Sequence, residues 1–387
     1  MLKREYCGNR PTKLRLLIID FFTDFFLSIL GNRWNKTNIF PSKILLFNFG
    51  HLGDILMMSY MINEFKKKFP NTEIHLVAGN WCESLTENNE LFNQVFYVNH
   101  YQTNRGKTSN FSKFWLYITD IISFVRSQKL QFYSHSFDFR YSAHNANIIL
   151  PFLNIEQKIG FGSVGFGGFL DIEKFIPKQD SHTIDVQSQG LNELGLTINS
   201  KTIFPKVFLP EETSNLVEVD SLFYMIFPEA GAENKMISHE FWITIITVLI
   251  EKQKNVKILI CGLTNFSATL VRKLLQENFS NNVVDAVGKL SIIQINSLLK
   301  KSCGAVTLDS FPAHLASVHT RTFCIFKDGF GFEYFPINNY PTYVAHNHLP
   351  SKSIQSFRSE MKIDYIPCIE NKDSFKILMD RLSNLFE

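Results

Sequence analysis

Three corners of the chain gather side chains that can handle an anion or a proton. The first is Asn48-Phe49-Gly50-His51-Leu52-Gly53-Asp54. Gly50 and Gly53 permit a tight turn and close backbone approach, and Asp54 presents a carboxylate at the start of a helix. Such a carboxylate either caps its helix or meets a ligand, and capping is the commoner use. The second corner, residues 230–235, carries Lys235, which can reach a phosphate as a point charge. The third is Asp309-Ser310-Phe311-Pro312-Ala313-His314. Proline in a first helical turn, preceded by Ser and Asp, leaves backbone N–H groups available to an anion. His314, one turn in, can hydrogen-bond a phosphate or sugar oxygen. A lone histidine at a helix start is usually structural, so the weight lies in the set.

Several chemistries are excluded. The chain has no Walker A motif, no HExxH and no GxSxG elbow. It also lacks Asp-x-Asp, the metal-chelating diphosphate clamp of single-domain nucleotide-sugar transferases. No metal ligand set and no cofactor are expected. A departing diphosphate would be stabilised by fixed dipoles and Lys235. With 39 basic against 36 acidic residues the net charge is only +3, and no basic block with interleaved aromatics stands out, which argues against nucleic acid. Cys7, Cys82, Cys261, Cys303, Cys324 and Cys368 are scattered without a CxxC pair, as in a reducing cytoplasm.

The elements that must position these corners can be read from hydrophobic pattern. At 387 residues, 45% hydrophobic and 19% charged, the chain suits two folded domains rather than disorder. Its 38 phenylalanines are spread throughout and read as core packing. Residues 43–47 (KILLF) are a continuous apolar run, as in a central parallel strand. After it come a helix over 55–69, strands at 73–78 and 94–98, a helix over 111–127 and a strand at 132–139. The pattern restarts with a strand at 222–227 and a helix over 240–251 capped by Ser238. A strand at 256–261, a helix over 290–301, a strand at 305–308 and a helix from 312 complete it. Alternation of this kind predicts an α/β chain of two facing Rossmann-like domains with parallel sheets. The first spans 41–205 and the second 206–387, with the linker near 201–215. Residues 150–185 read as loop-rich. Their GFGSVGFGG, at 160–168, comes after no clear strand and opens no helix, so it is expected to be a flexible loop facing the cleft and only a weak ligand contact. The final helical stretch, 373–385, is of the kind that often crosses back to a first lobe.

Residues 1–40 stand apart. The stretch 13–30 is strongly apolar, with Asp20, Thr23, Asp24 and Ser28 as a narrow polar stripe at helical spacing. Its two aspartates and short length disfavour a membrane span, and no small-residue cleavage site comes after it. Lys3, Arg4, Arg10, Lys13 and Arg15 lie on its N-terminal side, Arg33 and Lys36 on its C-terminal side. Two readings stay open: a helix lying on the cytoplasmic face of a membrane, or one packed on the protein itself.

The motifs resemble one family, the glycosyltransferase family 9 heptosyltransferases, which build the inner core of lipopolysaccharide. KILLFNFGHLGDIL is similar to the family's strand followed by xxGxxGDxL. FPEAGAENKMISHEFW parallels PGAxxxxKxWPxExW, and VGKLSIIQINSLLKKSCGAVTLDSFPAHLAS parallels GKxSLxELxxLLxxAxxxVxxDSGPxHLAA. FEYFPI resembles a recurrent aromatic–proline ending. The resemblance runs from about Lys43 to the C-terminus. It implies a GT-B fold, with acceptor on the N-terminal domain and nucleotide sugar on the C-terminal one. Asp54 matches the proposed catalytic base, while Gly50, His51 and Gly53 form the adjoining cleft loop. Lys235 matches the lysine that contacts donor phosphate. Asp309, Ser310, Phe311, Pro312 and His314, with Gly231 and Gly288, match the donor side. The reaction implied is an inverting single displacement. Its co-substrate is a nucleotide diphosphate sugar, ADP-heptose or similar, and its acceptor a lipid-linked or core oligosaccharide. Phe311 and Glu229 stand where glycine is usual, Ile237-Ser238 replaces Trp-Pro, and Asn48 stands where a basic residue is common.

Two other readings compete with a transferase. A catalytically silent nucleotide-sugar-binding protein with the same fold would accommodate Phe311 and Glu229, though it need not keep Asp54, Lys235 and His314 together. A nicotinamide-dependent oxidoreductase would require GxGxxG after a first strand, which neither domain has.

Overall fold

A computed structural model of the chain describes residues 4–29, 39–141, 144–176, 181–211, 221–277, 279–327, 331–347, 357–366 and 369–386. Cys368, Lys3, Arg33, Lys36 and part of the expected linker lie outside them. The chain divides into two compact units, Met1–Ser200 and Lys201–Glu387.

The first unit opens with helix α1 (Arg10–Ile29), then β1 (Lys43–Asn48), α2 (Leu52–Lys68), β2 (Glu73–Ala78), α3 (Glu83–Thr86) and β3 (Gln94–Tyr97). It continues through α4 (Asn110–Gln128), β4 (Phe132–Asp138), β5 (Asn154–Phe161), β6 (Ile172–Lys174), α5 (Thr183–Gln187) and α6 (Gln189–Asn192). Its six strands pair in the order β3-β2-β1-β4-β5-β6, and every pairing is parallel. Leu45 and Phe47 of β1, Val77 and Tyr133 are buried together with Phe124 and Tyr117 of α4. This is why β1 reads as a run and α4 as an amphipathic repeat: a central parallel strand is covered on both faces, whereas a covering helix buries one.

The second unit comprises β7 (Phe223–Phe227), α7 (His239–Lys252), β8 (Lys257–Ile260), α8 (Asn265–Gln276), β9 (Val283–Asp285) and α9 (Ile292–Leu299). Next come β10 (Gly304–Leu308), α10 (Phe311–His319), β11 (Thr322–Phe326), β12 (Thr342–His346), β13 (Met361–Tyr365) and α11 (Lys372–Leu385). Its parallel sheet runs β13-β12-β11-β10-β7-β8-β9. Ser238 caps α7 by accepting from Phe241 N–H, and Trp242 is wholly buried one turn later. The last helix, α11, places Leu378, Met379 and Leu382 in the core of this same unit, packed on α7 and β12. Its apolar stripe is used at home rather than in crossing back.

The glycine stretch 160–168 departs from expectation. Its first residues end a strand, β5, and the remainder seats α1. A Cβ on Gly165 would lie 2.8 Å from Leu16, one on Gly167 2.5 Å from Arg4, and one on Gly168 2.6 Å from Asp24. A side chain at any of these positions would displace Leu16, Arg4 or Asp24 from the place it holds. Gly165, at φ +90°, also needs glycine for its backbone. The carbonyl of Gly165 accepts from Asn145 and Asn147 Nδ2, and Cys7 N–H donates to Ser163 O at 2.8 Å. The segment is tied down, not loose.

Candidate functional site

In each sheet the chain leaves its first strand in one direction and later returns to extend the sheet in the other. β1 leads to β2 and β3, while β4 pairs on its opposite edge. Likewise β7 leads to β8 and β9, while β10 pairs on its other side. Beyond the carboxyl ends of such a strand pair the two outgoing loops diverge, and that crevice is where open α/β sheets hold ligands. Each unit places an ion pair there.

In the first unit β1 ends at Asn48, whose Oδ1 accepts from Gly50 N–H at 3.0 Å and so tightens the loop. A Cβ on Gly50 would sit 2.4 Å from Asp54, so no other residue fits without displacing that carboxylate. Trp81 Nε1 donates to Gly50 O at 2.8 Å. Asp54 lies in the first turn of α2, with Gly53 before it, and its Oδ2 accepts from His51 N–H at 2.8 Å. The capping use is therefore present. The other oxygen accepts from Arg140 Nη1 at 2.7 Å.

Arg140 stands two residues beyond β4, on a loop organised by Asp138. One Asp138 oxygen accepts from Arg140 N–H and the other from Ala146 N–H. Burial alone would raise the Asp54 carboxyl, but the Arg140 guanidinium and the His51 N–H hold it below the usual carboxylate range. Asp138 goes the other way: burial outweighs its N–H donors and pushes it up to about 7. Three histidines surround the pair, all kept neutral. Burial lowers His51 to about 4, aided by Arg105; His100 to about 3, aided by His144; and His144 to about 4, aided by Arg140. Around Asp54, then, lie a cation, neutral imidazoles that can donate or accept, and the Trp81 ring tilted beside His51. An ionised carboxylate with lone pairs to spare can take a proton from a hydroxyl.

In the second unit Lys235 ends a single turn of 3₁₀ helix (Glu233–Lys235) after β7, and Asp309 comes directly after β10. Lys235 Nζ lies 2.6 Å from Asp309 Oδ2. Ser310 precedes α10 but does not cap it; its hydroxyl donates back to Leu308 O. Phe311 and Pro312 form the first turn, and His314 is buried one turn in. A helix start without a side-chain cap, beside a lysine, is suited to an anion. Gly288 has φ +67° and open space where its Cβ would be. Gly231 lies on the exposed turn before Lys235.

Glu229 is absorbed elsewhere. Its carboxylate accepts from the N–H groups of Leu263 and Thr264 and from the hydroxyls of Thr264 and Ser267, at the start of α8. These donors, Ser267 first, hold it low against burial. The charge that the sequence places near an anion corner is thus a cap for the neighbouring helix.

Arg140, Asp138 and His144 escape the sequence reading, although a signal exists: Arg140 comes just after a recognised strand, in Phe137-Asp138-Phe139-Arg140. What the sequence does not supply is that β4 lies next to β1. Among the described residues no group of three or more His, Cys, Asp or Glu side chains could hold a metal ion, and no helix is long and apolar enough to cross a membrane.

Comparison with known proteins gives a consistent result. The model of glycosyltransferase family 9 (heptosyltransferase) matches residues 147–361. Among solved structures, the family 9 glycosyl transferase from Veillonella parvula DSM 2008 has a TM-score of 0.65 at 14% identity, covering 80% of this chain and 88% of that one. The E. coli ADP-heptose lps heptosyltransferase II has a TM-score of 0.64 at 13% identity, with 89% and 98% covered. E. coli heptosyltransferase WaaC with ADP has a TM-score of 0.63 at 13% identity, with 89% and 99% covered. At such identities the likeness concerns the fold, which is of the GT-B type. A search among curated proteins gave no match.

Proposed function

The chain belongs to glycosyltransferase family 9 and is a glycosyltransferase; from that premise we propose that it moves a heptose or related sugar from a nucleotide diphosphate carrier, ADP-heptose or one like it, to a lipopolysaccharide core or other surface-glycan acceptor. The observation that carries this reading is the second unit's corner, where Lys235, paired with Asp309, stands with the start of α10, which lacks a side-chain cap. That arrangement fits a diphosphate. The solved structure of WaaC holds ADP, which supports a nucleotide-sugar partner.

In this reading the transfer is a single inverting displacement. An acceptor oxygen bonds to the anomeric carbon as the bond from that carbon to the diphosphate oxygen breaks, and Asp54 takes the hydroxyl proton. Charge released on the diphosphate passes to Lys235, to the N–H groups at the start of α10 and to His314, with no metal ion required. Gly231 and Gly288 give backbone approach on the donor side; Gly50, His51 and Gly53 frame the acceptor side. The acceptor is lipid-linked or a core oligosaccharide, and the enzyme works on the inner face of the cytoplasmic membrane.

The test is Asp54→Asn, which keeps an oxygen for His51 N–H. Turnover with a nucleotide sugar and acceptor falls about 10²–10⁴-fold. ADP or GDP, in EDTA, raises the melting temperature of parent and variant alike. Near-native turnover in the variant would remove Asp54 as base. A melting shift with NADH but with no nucleoside diphosphate would remove the reading altogether.

A further inference from the structure

Helix α1 is packed with its polar side inward. Asp20 is buried, and Arg4, itself buried, reaches Asp24 and Glu173 at 2.6 Å each and lies 3.6 Å from Asp20. Tyr6 also donates to Asp20. Leu16, Asp20 and Asp24, at helical spacing, face the glycine seat. This buried network fixes the rotation of the helix. Its opposite stripe, Leu14, Leu17, Ile18, Phe21, Phe22 and Phe25, has the same spacing, and each of these side chains is 48–63% exposed. A surface helix of a soluble protein does the reverse.

The charges of α1 say what covers that stripe. Its only acids, Asp20 and Asp24, are turned to the protein, whereas Arg10, Lys13 and Arg15 are exposed. A second copy is a poor occupant. One helix face of 20 residues is about 30 Å by 10 Å, so two faces bury about 600 Å², below what a stable dimer needs. An exposed apolar stripe on a helix whose own exposed charges are cations fits the interface of a negatively charged bilayer.

We propose that the Leu14–Phe25 stripe of α1 lies in an anionic phospholipid surface, with Arg10, Lys13 and Arg15 at its headgroups, held in that orientation by Arg4, Asp20, Asp24 and Glu173. This deepens the membrane location proposed above by naming the surface, and its test requires no transfer reaction.

The full chain is floated with vesicles of phosphatidylcholine alone or mixed with phosphatidylglycerol. It rises with the mixed vesicles and partitions at least tenfold less onto phosphatidylcholine. Phe21→Glu with Phe22→Glu lowers partitioning about a hundredfold at unchanged melting temperature, since both side chains face solvent. Arg10, Lys13 and Arg15 changed to Gln lower it about fivefold per cation on mixed vesicles only. Equal flotation of the Phe21/Phe22 variant and the parent would overturn the proposal. So would a parent dimer, seen by sedimentation and abolished in that variant, that ignores vesicles. Flotation as expected from a chain that transfers no sugar would leave this surface standing and remove the enzymatic reading.

Discussion

Replacing Arg140 by Met removes the guanidinium from Asp54 while keeping much of its aliphatic bulk. The two side chains are only 11% and 15% exposed, so water cannot fully take over the lost partner. Removing one member of a buried pair costs about 3–5 kcal/mol; with this residual solvent contact the cost is about 2–4 kcal/mol at pH 7. The first unit should then melt about 4–16 °C lower. The pH dependence separates charge from packing. In the parent the Asp54 pKa is depressed, so its contribution is present above the unfolded value of 3.8 and lost as pH falls through the folded one. In the variant Asp54 lacks its cation, and Asp138, already at about 7, loses the nearby positive charge. Both carboxyls then titrate higher, and their stability is lost as pH rises through those raised values. The gap between parent and variant should therefore be small near pH 4 and widen toward pH 8. Urea unfolding at half-unit pH steps, monitored by tryptophan fluorescence and circular dichroism, measures it. A gap that stays constant over this range would refute the electrostatic reasoning and leave Arg140 a packing residue.

Further expectations concern the second unit and the seat of α1. Lys235→Ala leaves Asp309 without its ammonium and removes the lysine proposed for the diphosphate; kcat/KM falls about 10²–10³-fold, and the ADP-induced melting shift shrinks toward zero. An unchanged shift would dissociate Lys235 from the donor. Glu229→Ala takes away the acceptor of the Leu263 and Thr264 N–H groups and the Ser267 hydroxyl at the start of α8 and costs the second unit about 1–2 kcal/mol, read by urea unfolding. A stabilising effect would show that its carboxylate is not satisfied there. Gly168→Val pushes on Asp24 and Leu27 and loosens α1, so limited proteolysis should cut before Lys43 in the variant but not the parent.

Both anion corners are visible in the sequence because each comes after a continuous apolar run, LLF before Asn48 and AVTL before Asp309, that announces a buried parallel strand. Their ion-pair partners are a different matter. Asp309 is 74 residues from Lys235, and both lie in recognised motifs; Arg140 is 86 residues from Asp54, in none. Spatial adjacency of β1 and β4 is a property of strand order, which local periodicity does not encode. β5 and β6 escape a local reading because the first runs into glycines and the second has three residues. β9, with three residues, and the five-residue strands β11 to β13 escape it too, being short, and the sequence reading also passes over the longer α8. For α1 the polar stripe is legible but its direction is not: that depends on Arg4 and on Glu173, far along the chain.

The Lys235–Asp309 pair has a bearing on how donor would enter. An isolated ammonium advertises its charge at a distance and draws in any phosphate, whereas one that already holds a carboxylate is nearly silent until the newcomer is close. With Lys235 in the donor role proposed above, loading would be a swap of partners, in which Asp309 would loosen as a phosphate arrives. A lone inorganic phosphate has little besides that swap to gain. A nucleotide would offset it with contacts made by its base and ribose, so in that role the resident carboxylate would act as a filter against the smaller, commoner anion.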